Sequence, residues 1–243
     1  MNKEQTITGV IRGTGACVPE RILDNDEIAG FVDTSDEWIR ERTGVRKRRI
    51  AEKETTVSMA CEAGRQAVEE AGISPGEIDM ILVATGSPDQ IFPCTACRVQ
   101  EALGADGAVG FDLNAACSGF LFAYNTAQAY IASGIYRTVL VIGSESISRM
   151  VDWTDRGTCI LFGDGAGAVL LQAAEGKTYR PAAHSDGSGG PALTGPGVRN
   201  RIRSIDKDGR EAKTEYITMN GKDVFQFAVR KVPQVIQEVL KEN

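Results

Sequence analysis

The sequence predicts a layered α/β fold, and three observations support this prediction. Four apolar runs begin near Met80, Ala108, Thr138 and Gly165, at intervals of about 27 to 30 residues. The runs are continuous rather than alternating, which is typical of strands buried on both faces of a sheet. The segments between them carry helix-capping signals and are long enough for a helix between parallel strands. Strands and helices should therefore alternate along the chain.

The N-terminal elements are predicted from local patterns. The stretch from Ile7 to Cys17 predicts a first strand, although it contains three glycines. Thr34 to Glu37 has the pattern of a capping box, which predicts a helix that carries Trp38. Apolar side chains from Val57 to Ala71 recur with helical spacing, and Gly72 predicts the end of that helix.

The later elements are predicted by the same reasoning. An apolar face from Phe120 to Ile131 predicts a helix after the second run. Segment 184–200 is rich in glycine, serine and proline, which predicts a long loop. Thr214 to Met219 predicts a short strand. Lys222 to Leu240 predicts a helix that is interrupted at Pro233.

Composition and charge exclude several classes of protein. The 243 residues are 42% hydrophobic and 25% charged, unlike disordered or coiled-coil chains. The net charge of −6 does not attract nucleic acid. The longest apolar run is about five residues, far below a membrane span, and the N-terminus lacks a secretory pattern. Six cysteines in a chain of this length predict reduced thiols and a cytoplasmic protein.

Cys117 is placed where a predicted buried strand turns into a predicted helix. A thiol at a helix N-terminus faces free backbone N–H groups and the positive end of the helix dipole, which favour the thiolate. The small neighbours Ala115, Ala116, Ser118 and Gly119 leave room for an acyl group. The alternative is that Cys117 is a small buried apolar residue, as most free cysteines are. Its placement alone does not decide between these interpretations.

The segment Phe111 to Phe120 resembles the active-site cysteine turn of thiolase-fold condensing enzymes, specifically the β-ketoacyl-acyl-carrier-protein synthase III family. Other stretches resemble that family in the same order: 34–39 (TSDEWI), 42–44 (RTG), 79–85 (DMILVAT), 92–93 (FP), 155–158 (DRGT), 162–168 (FGDGAGA) and 219–221 (MNG). The resemblance covers nearly the whole chain. It implies a thiolase-like α/β/α fold in which the N-terminal half, residues 1–174, is complete and the C-terminal half, residues 175–243, is only begun.

The resemblance also implies an activity. Cys117 would attack an acyl-CoA, with acetyl-CoA as the expected primer, and would hold the acyl group. Malonyl-acyl carrier protein would then lose CO₂ and condense with the acyl group on Cys117, which starts type II fatty acid synthesis. The enzyme would be a homodimer that needs no metal or redox cofactor. The alternatives are an acyltransferase of secondary metabolism that uses the same acyl-Cys117, and a non-condensing dimerisation module.

The resemblance assigns several substrate-binding residues. Trp38 would stack on the CoA adenine, Arg156 would cover the adenine from the other side, and Arg42 would lie near the phosphates. Thr34 is assigned to the same binding region. Phe92 would cross the dimer interface and line the partner's acyl pocket.

Phe225 would lie beside the pantetheine tunnel, although its periodicity fits a core position equally well. The basic run Arg46 to Arg49 is expected to be an ordinary solvated loop. Cys94 and Cys97 form a lone Cys-x-x-Cys, which is weak evidence for zinc or redox chemistry and favours two buried thiols at a helix start. The family usually has a smaller residue at position 94.

The donors for the condensation step are not found in this sequence. In the family they come from a His-Gln-Ala-Asn-like and a Gly-Asn-Thr-like motif, and neither occurs here. His184 is the single histidine, and its glycine- and serine-rich surroundings indicate a loop residue rather than a base. The chain is therefore expected to be C-terminally truncated and impaired in condensation.

Overall fold

The computed structural model describes residues 6–196 and 216–243. These residues form two compact units. The first unit comprises residues 6–23, 47–147 and 163–181. The second comprises residues 24–46, 148–162, 182–196 and 216–243. The division of the sequence into halves at residue 174 stays a prediction.

The strands and helices of the described residues are numbered in chain order. The strands are β1 (Ile7–Cys17), β2 (Arg21–Asp24), β3 (Lys47–Ile50), β4 (Met80–Ala84), β5 (Val109–Leu113), β6 (Thr138–Ser146), β7 (Asp164–Glu175), β8 (Leu193–Thr194) and β9 (Thr218–Met219). The helices are α1 (Asn25–Ala29), α2 (Asp36–Thr43), α3 (Thr56–Ala71), α4 (Thr95–Leu103), α5 (Gly119–Ala132), α6 (Arg156–Cys159) and α7 (Gly221–Glu242).

The first unit is built on a five-stranded sheet with the strand order β1-β7-β6-β4-β5. Strand β4 runs parallel to β5 and β6, as the spacing of the apolar runs predicts. Strand β7 is antiparallel to both β6 and β1, so the expectation of a parallel sheet is wrong for these pairs. The sheet is therefore mixed, because an apolar run indicates burial but not strand direction.

Helices cover both faces of this sheet and produce the α/β/α layering. Helices α3 and α4 pack on one face, where Ile81 and Val83 of β4 lie in the core. Helix α5 packs on the other face against Met80 and Leu82. All five residues of β4 are buried, and burying each large aliphatic side chain contributes about 1.5–3 kcal/mol. The predicted layered α/β class is confirmed.

The glycines of β1 allow helix α3 to approach the sheet closely. A Cβ atom at Gly13 would lie 2.0 Å from the carbonyl oxygen of Ala67, and one at Gly15 would lie 2.0 Å from that of Ala63. Both distances are far below a van der Waals contact. A side chain therefore does not fit at these two positions. Both glycines lie within β1, which has the predicted bounds Ile7–Cys17.

In the second unit, the start of helix α2 and the continuity of helix α7 differ from the predictions. The N-cap of α2 is Ser35, whose side chain accepts a hydrogen bond from the Trp38 N–H, so the predicted capping box that begins at Thr34 is wrong by one residue. Helix α7 is continuous through Pro233, so the predicted interruption there is also wrong. A missing N–H and a ring clash weaken a helix at proline without necessarily ending it.

The segment between β7 and α7 is only partly described. Residues 184–196 contain a short 3-10 helix and β8, so the predicted loop is not free of regular structure there. Residues 197–200 of that loop, and 214–215 of the predicted strand 214–219, lie outside the described residues. The remaining part of the strand, β9, pairs with β8. None of the helices described is both long and apolar enough to cross a bilayer.

Candidate active site

Cys117 lies in the turn that joins strand β5 to helix α5. After β5 ends at Leu113, the chain makes a single 3-10 turn over Ala116–Ser118 and enters α5 at Gly119. The side chain of Cys117 is exposed. The interpretation of Cys117 as a buried apolar residue is therefore wrong, because the residue is exposed.

The backbone immediately before Cys117 is in an uncommon conformation. Ala116 has φ +46°, and it is the one non-glycine residue with a positive φ in the described part of the chain. This left-handed conformation costs an L-residue about 1–2 kcal/mol. The side-chain oxygen of Asn114 accepts a hydrogen bond of 3.1 Å from the Ala116 N–H and so supports the turn. Such backbone outliers cluster at functional sites.

Helix α5 begins without a side-chain cap. Ser118 occupies the N-cap position but makes no capping hydrogen bond, so the first N–H groups of the helix keep their capacity to bind an anion. Gly119 is buried, and a Cβ atom there would lie 3.2 Å from the Cβ of Ala84 on β4. The close contact between α5 and β4 thus fixes the point at which the helix begins, two residues after Cys117.

Polar contacts also hold the end of β4 in the first unit. The carboxylate of Glu145, on β6, accepts a hydrogen bond of 2.8 Å from the Gly86 N–H and another from the Ser87 hydroxyl. Neither Glu145 nor Asn114 was predicted from the sequence. An asparagine directly before a turn is the signal that could have revealed Asn114, because its side chain commonly bonds the backbone two residues later.

A second cluster of predicted site residues lies in the second unit, around Trp38 on α2. The guanidinium carbon of Arg42, one turn further along α2, lies 4.8 Å from the centroid of the Trp38 ring. The guanidinium carbon of Arg156 lies over the same ring at 4.7 Å. Arg156 also donates a hydrogen bond of 3.0 Å to the carbonyl oxygen of Asp33. The structure therefore brings Trp38, Arg42 and Arg156 together.

Thr34 lies beside this cluster in sequence and carries an unsatisfied polar atom. Its hydroxyl oxygen is buried and has no hydrogen-bond partner among the described residues. An unpaired buried hydroxyl costs about 1–3 kcal/mol. A ligand atom that bonds this oxygen would remove that cost.

The basic run Arg46 to Arg49 is not the solvated loop that the sequence predicts. Lys47–Ile50 is strand β3, Arg48 is buried, and the Arg49 guanidinium donates hydrogen bonds to the carbonyl oxygens of Pro19 and Glu20.

A separate cavity of about 620 Å³ is lined by three carboxylates, two guanidinium groups and a glycine: Asp36, Glu37, Glu41, Arg40, Arg46 and Gly44. Because its carboxylates outnumber its guanidinium groups, this cavity does not select an anion.

The two predicted phenylalanines are both exposed, but in different units. Phe92 precedes α4 in the first unit, with 83% of its surface accessible, next to the exposed Ile91. Phe225 is on α7 in the second unit and is 67% accessible, so the prediction of a core position for it is wrong.

His184 is exposed in its loop, and its Nε2 lies 2.6 Å from Oε2 of Glu238. The hydrogen bond from His184 lowers the pKa of Glu238.

The cysteines of the chain are free thiols. Cys94 is half-buried and Cys97 is exposed, so the prediction of two buried thiols is wrong. Their sulfur atoms lie 3.4 Å apart at the start of α4. Among residues 6–196 and 216–243, no three histidine, cysteine or acidic side chains form a group that could hold a metal ion.

Comparison with known proteins gives consistent matches. The family described as 3-oxoacyl-[acyl-carrier-protein (ACP)] synthase III matches residues 111–187, which include Cys117. The β-ketoacyl-[acyl-carrier-protein] synthase III of Clostridium acetobutylicum is 46% identical over 234 residues, which cover 96% of this chain and 71% of that protein.

Two solved structures are similar over nearly the whole chain. The 3-oxoacyl-[acyl-carrier-protein] synthase III of Aquifex aeolicus has a TM-score of 0.85 and 43% identity, and the match covers 96% of this chain and 71% of that one. The priming β-ketosynthase of the R1128 polyketide biosynthetic pathway has a TM-score of 0.87 and 34% identity, over 98% of this chain and 71% of that one. The predicted thiolase-like fold is thereby confirmed.

The predictions about the end of the chain are not confirmed. The matches cover about 71% of the length of these relatives. Such coverage does not establish whether the protein continues beyond residue 243, so it does not support the predicted truncation. The same matches include residues beyond 174, and the description of a C-terminal half that is only begun is not borne out.

Proposed function

Because this chain belongs to the 3-oxoacyl-[acyl-carrier-protein] synthase III family of condensing acyltransferases, we propose that it primes type II fatty acid synthesis through an acyl group held on Cys117. The acyl donor is a short acyl-CoA, with acetyl-CoA as the expected primer. The acceptor is malonyl-acyl carrier protein. The observation that carries the proposal is the exposed thiol of Cys117 at the uncapped start of helix α5.

In the first half-reaction, the Cys117 thiolate attacks the thioester carbonyl carbon of acyl-CoA. A tetrahedral intermediate forms, its C–S bond to CoA breaks, and CoA leaves as the thiolate. The intermediate carries a negative charge on oxygen, and backbone N–H groups at a helix N-terminus are suited to stabilise that charge. The hydrogen bond from Ala116 to Asn114 holds this turn before substrate arrives, which reduces the reorganisation required.

We propose that Trp38, Arg42, Arg156 and Thr34 bind the CoA nucleotide. An indole ring can stack on an adenine, which is worth about 1–3 kcal/mol per base. Guanidinium groups form charge-assisted hydrogen bonds with phosphates. The buried, unpaired hydroxyl of Thr34 supports a polar ligand contact nearby.

In the second half-reaction, malonyl-acyl carrier protein loses CO₂, and its enolate carbon attacks the acyl carbonyl and releases the Cys117 thiolate. Groups that stabilise the enolate are needed here. The 243 residues contain neither the His-Gln-Ala-Asn-like nor the Gly-Asn-Thr-like motif, and the single histidine pairs with Glu238 in an exposed loop. These residues therefore support an assignment for the first half-reaction, and the groups that stabilise the enolate are not assigned among them.

We propose that the enzyme acts as a cytoplasmic homodimer. Strand β5 lies at one edge of the five-stranded sheet, and β4 is its single neighbour among the described strands. An unpaired edge with exposed apolar side chains favours pairing with another chain, and Val109 and Phe111 of β5 are both exposed. Phe92 is the most exposed of the large apolar residues in the described part of the chain, which supports its assignment to a partner's acyl pocket.

A second candidate function is favoured by one comparison. The similarity to a priming β-ketosynthase of a polyketide pathway supports an acyltransferase that uses the same acyl-Cys117 with a different acceptor. Both functions share the first half-reaction. They differ in the carrier protein that accepts the acyl group, so condensation assays with alternative malonyl carriers distinguish them.

The test of the shared step is intact mass spectrometry after incubation with acetyl-CoA. We expect one acetyl group per chain in the native sequence and none in Cys117→Ala. The matched control is Cys97→Ala, because Cys97 is also an exposed thiol; this variant should acquire the acetyl group normally. Absence of an adduct in the native chain would instead support a non-condensing dimerisation module, and an adduct that persists in Cys117→Ala would overturn the assignment.

A further inference from the structure

Cys94 and Cys97 are the two thiols that the acyltransferase mechanism does not use and that lie side by side. Their Sγ atoms are 3.4 Å apart. Cys94 is the N-cap residue of α4, and Cys97 lies in the first turn of that helix. The exposed Cys97 gives solvent access to the pair, while Cys94 is half-buried.

One carboxylate holds the backbone between the two cysteines. The carboxylate of Asp112, on β5, accepts hydrogen bonds of 2.8 Å from the N–H groups of Thr95 and Ala96, the two residues between the cysteines. Cys94 makes no side-chain capping bond, so its sulfur accepts no hydrogen bond from the first N–H groups of α4. Residues three positions apart in a helical turn have Cβ atoms about 5–6 Å apart, whereas a disulfide holds them about 3.5–4.5 Å apart. Closing the bond therefore draws the N-cap residue Cys94, which precedes the helix, toward Cys97.

We propose that Cys94 and Cys97 form a reversible intrachain disulfide by exchange with a low-molecular-weight disulfide such as oxidised glutathione. This is a modification site separate from the acylation of Cys117, and it does not rest on the proposed function. The pair is reduced in this structure and would become oxidised when the disulfide pool of its surroundings rises.

The exchange proceeds in two balanced steps. Cys97, the exposed thiol, loses its proton to solvent and attacks one sulfur of the small disulfide, whose S–S bond breaks and releases one thiolate. Cys94 then loses its proton and attacks Sγ of Cys97, which forms the Cys94–Cys97 bond and releases the second thiolate. The two cysteines lose two electrons, and the small disulfide gains them and becomes two thiols.

The surroundings favour this chemistry over metal binding. A structural zinc site needs four ligands, and the described residues offer no group of three or more candidate ligands. The hydrogen bond with Cys94, burial and the charge of Asp112 raise the pKa of Cys97. A raised pKa lowers the thiolate fraction of Cys97 and slows its attack on a disulfide, so the exchange should become faster as the pH rises.

The experiment incubates the full chain with oxidised glutathione at mildly alkaline pH, blocks free thiols with an alkylating reagent, and digests with trypsin without reduction. Tryptic peptide 66–98 contains Cys94 and Cys97 and no other cysteine, and Cys117 falls in a separate peptide. We expect peptide 66–98 to lose the mass of two hydrogens and to carry neither glutathione nor the alkyl group. Dithiothreitol should restore both alkylatable thiols.

Two variants distinguish disulfide formation between Cys94 and Cys97 from simple attachment of glutathione to an exposed thiol. In Cys94→Ser, the resolving thiol is absent, so glutathione should accumulate on Cys97 at least about tenfold above the native level, since the second thiol normally acts at an effective concentration on the order of mM or higher. Cys61→Ser, in which a half-buried thiol of α3 is removed, should behave as the native chain does. A native peptide that stays fully alkylated, or that carries stable glutathione at Cys97, would overturn the proposal.

Discussion

The guanidinium group of Arg156 lies over the indole ring of Trp38, with its central carbon 4.7 Å from the ring centroid. The two residues are 118 positions apart in the sequence, and a hydrogen bond from Arg156 to the carbonyl oxygen of Asp33 fixes the arginine there. In this structure Arg156 covers the surface on which an adenine would stack. The proposed nucleotide binding would therefore exchange an arginine–indole contact for contacts of both side chains with the base.

This relationship predicts coupled effects of substitution at the two positions. Arg156→Gln and Trp38→Leu should each raise the KM for acyl-CoA about tenfold, which corresponds to ~1.4 kcal/mol, with little change in the acylation rate at saturation. The double variant should lose less than the sum of the two, because the side chains act on the same base. The measurement is the concentration dependence of acylation.

The matched control for this prediction is Arg40→Gln. Arg40 is also on α2, but it pairs with Asp36 at 3.2 Å rather than with the indole. Its replacement should leave the KM nearly unchanged. Fully additive losses in the double variant, or an equal loss in Arg40→Gln, would show that the cluster does not bind the base.

The positive φ of Ala116 predicts which side chains this position tolerates. Ala116→Gly should change the free energy of unfolding by less than about 1 kcal/mol, because relief of the left-handed strain is offset by a more flexible unfolded chain. Ala116→Val should destabilise the protein by about 1–2 kcal/mol and slow acylation, since a β-branched residue disfavours this conformation. Urea unfolding and acylation rates measure both effects.

A helical position provides the comparison for Ala116. Ala129 is an exposed residue of α5, and Ala129→Val should cost only the lower helix propensity of valine, under about 1 kcal/mol, with acylation unaffected. If Ala116→Val were as mild as Ala129→Val, the strained turn would not be needed to present Cys117.

The contact between Asn25 and Asp36 predicts a pH-dependent contribution to stability. The buried Asn25 side chain donates hydrogen bonds to the Asp36 carboxylate at 2.8 Å and to the Val45 carbonyl oxygen at 2.9 Å. The hydrogen bond from Asn25, followed by that from Arg40, lowers the pKa of Asp36 below its usual 3.8. Because the folded pKa is depressed, this contribution is present above 3.8 and is lost as the pH falls through the lower folded value.

Asn25→Ala should therefore raise the pKa of Asp36 toward 3.8 and lower stability at neutral pH by about 1–3 kcal/mol, the effect of removing a buried amide that makes two hydrogen bonds. The difference from the native chain should shrink at pH values below the folded pKa of Asp36. Urea unfolding at a series of pH values measures this, with Asn125→Ala on α5 as the control. A difference that is independent of pH would contradict the assigned role.

The exposed edge of β5 predicts a site of self-association. Phe111→Lys should weaken the proposed dimer at least about tenfold, because a charge on an edge strand opposes pairing. Ile11→Lys is the control, since Ile11 is an exposed residue of β1, the opposite edge of the same sheet. Sedimentation across a concentration series should show dissociation in Phe111→Lys alone. Dissociation in both variants, or in neither, would place the interface elsewhere.

Much of the fold could be predicted from local patterns. Strand β1 has the predicted bounds, Gly72 ends α3 in a left-handed conformation, and the run that begins at Met80 is a fully buried strand. These features depend on burial and on local backbone chemistry. The antiparallel direction of β7 was not predicted, because strand direction is decided by tertiary pairing. The buried Arg48 was missed for a related reason, since a charge run alone does not show what packs on it.

The candidate site was predictable only in part. Cys117 could be proposed from its position between a strand and a helix, but the positive φ of Ala116 has no signal in the sequence, since alanine rarely adopts it. The contact between Trp38 and Arg156 could be anticipated only from resemblance to a family, because their separation in sequence carries no information about proximity. The supporting contacts of Asn114 and Glu145 depend on the folded ends of β4, β5 and β6.

The central claim is that Cys117 takes an acyl group from acyl-CoA, and the most direct measurement is the release of free CoA from acetyl-CoA in the absence of malonyl-acyl carrier protein. We expect a rapid burst of one CoA per chain, with little further release after it, and no burst in Cys117→Ala. A burst of the same size in Cys117→Ala, or continuous release without a stable acyl-enzyme in the native chain, would contradict the account.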